Sequence, residues 1–125
     1  MAAPALVSAQ TAGPPAASFT AAQAENGKMV FEQTCAGCHG ADLTGGEGPP
    51  LTGAPFLYTW GGQTVAGLLK FVQANMPASS PGTLTPESAL NVVSYVLSRN
   101  KIPAGNSPLT ATSNAIVLVP PGDKR

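Results

Sequence analysis

The two cysteines of the chain, Cys35 and Cys38, stand three residues apart, and its single histidine, His39, follows directly. This is the C-x-x-C-H pattern of covalent haem attachment. The spacing has a mechanical reason. Two residues three apart lie about one helical turn from each other, so both sulfurs can form thioethers with the two vinyl groups of one haem. His39 is then carried to the iron. Three other chemistries use the same residue types. A Cys35–Cys38 disulfide closes too small a ring to stabilise much and leaves His39 without a role. Structural zinc wants four ligands, and the chain offers two Cys and one His. A thioredoxin-like pair belongs after a strand in an alternating strand and helix pattern, which this sequence lacks. The expected cofactor is therefore one haem c, attached through Cys35 and Cys38.

With no second histidine, a further iron ligand has to come from another residue type. Of the three methionines, Met1 is terminal and Met29 lies in the segment leading into the cysteines. Met76 closes a helical stripe, precedes a proline and opens a loop, so it is the candidate sixth ligand, with iron expected on His39 and Met76. A core methionine continuing that stripe is the plainer reading, and an open or lysine-ligated iron the remaining one.

These residues need elements to hold them. Thr20 and Gln23 form a capping box for a first helix reaching about Gln33, with Gly27 and Phe31 on one face. From Gly40 to Pro55 glycines and prolines predict a loop. Between Thr64 and Asn75, Val65, Leu68, Leu69 and Val72 make an amphipathic stripe that Met76-Pro77 ends. Thr85 as cap and Pro86 at the first position open a last helix, whose inward face is Ala89, Val92, Val93, Val96 and Leu97 and whose end falls near Asn100. Beyond Ile102-Pro103, only Ala115 to Val119 has strand character.

The chain has 125 residues, which fits one domain, and its charged residues make up 10% and sum to zero. Such a balance argues against nucleic acid or anionic lipid as a partner. With 14 Gly and 13 Pro, regular structure should be short, and a covalently fixed apolar group would supply core that the chain itself lacks. No stretch of about 20 apolar residues predicts a transmembrane segment. Residues 1–19 read as a signal-peptide remnant ending Val7-Ser8-Ala9, or as an Ala-rich leader, so a periplasmic or otherwise exported location is expected. Residues 20–103 form the expected domain and 104–125 a C-terminal extension, either a docking element or a strap over its own domain.

From about Thr20 to Pro103 the sequence resembles the class I cytochromes c. Gly27-x-x-x-Phe31 is similar to their first-helix signature, where the glycine lets the last helix cross closely, and Tyr95 is the matching aromatic. Gly48-Pro49-x-Leu51 resembles the segment whose proline carbonyl accepts the free N–H of the iron-bound histidine, which makes Pro49 the candidate. Asn75-Met76-Pro77 resembles the loop of the second ligand, and Trp60 a tryptophan that bonds a haem propionate, although a plain core aromatic would look the same. The resemblance implies an all-α fold of three to five short helices around one haem, with long loops. More narrowly, Leu51 to Trp60, Gly61-Gly62-x-Thr64-Val65, Met76 to Gly82 and Asn100 to Gly105 look like cytochromes associated with quinoprotein alcohol dehydrogenases. The implied function is electron transfer from a periplasmic dehydrogenase towards a respiratory acceptor. Redox proteins are then the partners, and the chain is a carrier and not an enzyme, either a monomer or a subunit of a redox complex. The alternatives are a fixed subunit of a quinoprotein dehydrogenase complex and a small haem peroxidase or gas-binding sensor. The latter needs a distal His or Arg, and Arg99 and Arg125 come late in the chain.

Overall fold

A computed structural model describes residues 18–113, 115 and 117. Its regular elements are five helices: α1 Ala21–Thr34, α2 Ala36–His39, α3 Gly53–Trp60, α4 Val65–Asn75 and α5 Pro86–Arg99. The described residues contain no strand, so the fold is all-α. Of the segment expected to have strand character, Ala115 and Val117 are irregular, and the other three residues lie outside the described ones.

Local chemistry sets the helix starts. Thr20 accepts from the Gln23 N–H while the Gln23 side chain accepts from the Thr20 N–H, completing the capping box. Thr64 and Thr85 cap α4 and α5 through their hydroxyls, and Pro86 occupies the first turn of α5, where no N–H is needed.

Helix α5 is the centre of the molecule. Every residue from Asn91 to Leu97 is buried, so it is covered on more than the stripe that the apolar pattern marks. Helix α1 crosses it at Gly27. A Cβ there would collide with the Asn91 carbonyl and stand 2.9 Å from Tyr95 Cβ, so only glycine permits this approach. One turn on, Phe31 meets Tyr95 with ring centroids 5.6 Å apart and planes tilted by 50°. Helix α4 adds Val65, Leu68 and Leu69 to the same core.

One sequence expectation needs correction. The loop expected over Gly40 to Pro55 ends early, because α3 begins at Gly53. Pro55 falls in its first turn, where a missing N–H costs nothing, so the proline that suggested a loop is compatible with a helix start. Of the residues expected to form a leader, 1–17 lie outside the described ones, while Phe19 is fully buried and its carbonyl accepts from the Gly105 N–H at 2.8 Å.

The described part of the extension is a strap over its own domain. Ser18 Oγ donates to the Ser107 carbonyl at 2.8 Å. Gln23 grips Leu109 from both sides, accepting its N–H at 2.8 Å and donating to its carbonyl at 3.2 Å. Farther on, the Val65 N–H donates to Ala115 O and the Val117 N–H to Gln63 O, both at 2.8 Å. Leu109, Ala115 and Val117 are buried by this course.

Candidate functional site

Helix α1 ends at Cys35, whose carbonyl accepts the N–H groups of Cys38 and His39 at 3.2 and 3.0 Å. That single turn, α2, points Cys35, Cys38 and His39 into one cavity. Cys35 is half-buried and Cys38 exposed. Burial, and next to it the nearby Cys38, pushes the Cys35 thiol up to about 11, so before attachment it keeps its proton at neutral pH.

The loop after α2 folds back beneath His39. The Gly48 N–H donates to Cys38 O at 2.8 Å, and Leu43 is fully buried under the turn. A Cβ on Gly48 would stand 2.9 Å from Cε1 and 3.0 Å from Nδ1 of the imidazole, so the bare glycine lets the loop lie flat against the ring. The next residue, Pro49, offers its carbonyl to His39 Nδ1 at 2.7 Å. This contact assigns the ring proton to Nδ1 and leaves Nε2 with its lone pair for a metal. In the same loop Asp42 accepts from both the hydroxyl and the N–H of Thr44. These bonds, the hydroxyl first, hold its carboxyl below the usual aspartate range.

The cavity has a volume of about 650 Å³, within the range of small-molecule and cofactor sites. Its walls are mostly apolar: Phe31, Phe56, Leu68 and Val72, with Val92, Val93 and Val96 from α5. Met76 lines it too, leaving the end of α4 in extended conformation with its N–H still bonded to Val72 O. Trp60 also lies on the wall, with Phe71 edge-on at 5.4 Å between ring centroids. All six residues singled out in the sequence, Cys35, Cys38, His39, Pro49, Trp60 and Met76, thus meet at one cavity. By contrast, Met29 is 57% exposed on α1 and outside it.

These residues fit a haem. Two sulfurs and one imidazole nitrogen converge on a large apolar space, whereas among the described residues no three His, Cys, Asp or Glu side chains cluster to hold a bare metal ion. Sequence reasoning missed Phe71 and the direct packing of Gly48 on the ring. Phe71 carried no signal in the sequence, being on the polar side of the α4 stripe, while Gly48 was visible only as part of a glycine-rich run.

Residues 22–96 match the family model described as cytochrome C oxidase, cbb3-type, subunit III. Over 84 residues the chain is 38% identical to the cbb3-type cytochrome c oxidase subunit CcoP of Rubrivivax gelatinosus, with 62% of this chain but 26% of that protein covered. It is 32% identical to cytochrome c-551 of Bacillus subtilis (strain 168), covering 67% of this chain and 70% of that one. Cytochrome c55X of Paracoccus denitrificans (strain Pd 1222) is also 32% identical, with 74% and 85% covered. The fold is similar to that in the crystal structure of the sulfane dehydrogenase SoxCD from Paracoccus pantotrophus, with a TM-score of 0.58 at 20% identity over 96% of this chain and 66% of that chain. The fold and the convergence of two sulfurs and an imidazole define a monohaem c-type cytochrome of class I, a haem electron-transfer protein. The chain belongs to the family of that cbb3-type subunit III model, and its cofactor is haem c, for which Cys35 and Cys38 complete the attachment pattern.

Proposed function

We propose that the protein is a one-electron carrier in which His39 and Met76 would both hold the iron of the haem, passing electrons from a periplasmic dehydrogenase towards a respiratory acceptor. The observation that carries this reading is the single cavity lined by both His39, held by Pro49 at 2.7 Å, and Met76 at the end of α4. When bound, the haem supplies reversible one-electron exchange. The chain's own residues set the conditions. Pro49 fixes the tautomer of His39 and raises its basicity as a ligand. Met76 contributes a thioether, which favours the reduced iron and a positive potential. Phe31, Leu68 and the valines of α5 line the cavity and would keep water from a bound haem, and Trp60 would be the candidate partner of a propionate.

Several lines support a carrier over a peroxidase or gas sensor. The residues following Met76 on the cavity wall are Pro77, Ala78 and Ser79, which offer no general acid or base. Glu47 is the one charged side chain among the described lining residues. With so little charge at the mouth, docking to redox partners is short-lived and only weakly dependent on salt. Export to the periplasm agrees with the small apolar leader ending Val7-Ser8-Ala9. No helix among the described residues is long and apolar enough to cross a membrane.

A second reading makes the chain a fixed subunit of a larger redox complex, and it draws support from CcoP, a relative that is itself named as an oxidase subunit. The narrower kinship with quinoprotein cytochromes rests on the runs Leu51 to Val65, Met76 to Gly82 and Asn100 to Gly105, and the relatives above carry other names. Potentiometric titration tests the carrier reading: a single reversible one-electron wave at positive potential is expected, with electron-exchange rates nearly flat in ionic strength. A steep fall of rate with salt would overturn the uncharged docking surface. Rapid turnover of peroxide would overturn the carrier.

A further inference from the structure

Asn100 caps the end of α5, yet its side chain is only 3% exposed and its polar atoms serve three separate elements. Nδ2 donates to Val96 O in its own helix at 2.8 Å and to Leu51 O at 2.9 Å, while Oδ1 accepts the Gly53 N–H at 3.0 Å. The amide orientation follows from this network, since the reverse would set acceptors against both carbonyls. Gly53 is the first residue of α3, and the residue ahead of it, Thr52, makes no side-chain capping bond. Asn100 therefore supplies the missing cap of α3 from across the molecule, by the same chemistry that Asn provides at a helix start within one segment.

The segment it grips is the one that holds the imidazole. Leu51 is clamped on both sides, with its carbonyl on Asn100 and its N–H on Leu43 O at 2.8 Å. Two residues earlier stands Pro49, whose carbonyl meets His39 Nδ1 at 2.7 Å. One residue before that, Gly48 lies against the ring itself. Between the end of α5 and His39 the connection is short and stiff, running through two proline residues, Pro49 and Pro50, with φ fixed by their rings. A fully satisfied buried amide of this kind rigidifies what it joins.

We propose that Asn100 is a positioning residue for His39, anchoring the Pro49 carbonyl against Nδ1 from the end of the central helix. This rests on His39 being the iron ligand proposed above. Releasing Leu51 and Gly53 lets the loop move, the Nδ1–H···O bond loosens, and the imidazole becomes a less basic ligand, so the oxidised iron is less favoured and the potential rises.

The test uses the intact haem-loaded protein, labelled with ¹⁵N, and follows solvent exchange of the His39 Nδ1 proton in the reduced state beside that of the Phe31 amide in α1. Asn100→Ala is expected to speed Nδ1 exchange by about ten-fold, the scale of one net hydrogen bond, beyond any change at Phe31, and to raise the midpoint potential. Asn100→Asp keeps the acceptor for Gly53 and loses both donors, so it should reproduce the effect at His39 while Gly53 stays protected. Gln23→Ala weakens the strap instead and should leave the potential and the excess Nδ1 exchange at parent values. The proposal is overturned if Nδ1 exchange in both Asn100 variants merely tracks Phe31 at unchanged potential, or if neither variant retains haem while Gln23→Ala does, which would make Asn100 structural. A parent protein with no ring-current-shifted Nδ1 resonance would instead refute the ligand role of His39.

Discussion

Replacing Gly27 with alanine gives the α1–α5 crossing a test whose sign is decided by geometry. In an isolated helix interior the change should stabilise, since alanine is favoured over glycine by about 1 kcal/mol. Here the new Cβ would overlap the Asn91 carbonyl and press on Tyr95 Cβ at 2.9 Å. Relief requires the helices to part, and because the overlap is with backbone the cost falls at the upper end of the overpacking range, about 3 kcal/mol. Parting them also spoils the Phe31–Tyr95 contact and the cavity wall that Phe31 shares with Val92, Val93 and Val96. With the helix-propensity gain subtracted, a net loss of about 2 kcal/mol remains, roughly a thirty-fold drop in the folded to unfolded ratio. Urea titration of the haem-loaded protein, followed by circular dichroism, should show a lower midpoint at unchanged slope. Gly37→Ala is the matched control, because a Cβ at exposed Gly37 meets nothing within 4 Å, and it should be neutral or slightly stabilising. A Gly27→Ala protein as stable as the parent would refute the close crossing.

Three further perturbations probe the loop and the strap. Gln23→Ala removes both bonds to Leu109 together with half of the capping box; a loss of about 2 kcal/mol is expected in urea titration, with faster protease cleavage beyond residue 103 and an unchanged haem spectrum. Gly48→Ala forces a Cβ to 2.9 Å from His39, so the oxidised protein should gain a high-spin fraction in its absorption spectrum, and a purely low-spin spectrum would contradict the flat packing on the ring. Asp42 has a carboxyl held below the ordinary value of about 3.9 by Thr44, so its contribution to stability is present above that pH and is lost as pH falls through the lower folded value. Thr44→Val should return the Asp42 titration, followed by NMR, towards the ordinary value.

Much of this molecule can be read from residue order because its signals are local. The capping box at Thr20 and Gln23, the Thr85-Pro86 start and the C-x-x-C-H turn each act within four residues, and their chemistry holds wherever the chain goes. What escaped is what depends on distant partners. The start of α3 at Gly53 is capped by Asn100, 47 positions away, so nothing beside Thr52 announces it. Asn91 and Ser94 were not expected in the core, because a 3.6-residue stripe marks one buried face and α5 is covered on several. Ser94 bears that burial by donating its hydroxyl to Leu90 O at 2.8 Å. Leu109 gave no hint of its tie to Gln23, which closes over 86 positions of sequence. For the site, type and spacing pointed to His39 and Met76, while the packing of Gly48 beneath the imidazole required the folded loop.

The central claim is that His39 and Met76 bracket the iron of a haem fixed to Cys35 and Cys38, and absorption spectroscopy of the oxidised protein addresses it most directly. A weak near-infrared band from sulfur to iron is expected in the parent and should vanish in Met76→Ala, with the haem still covalently attached by mass. A band that persists in Met76→Ala, or a parent that never shows one, would contradict the assignment.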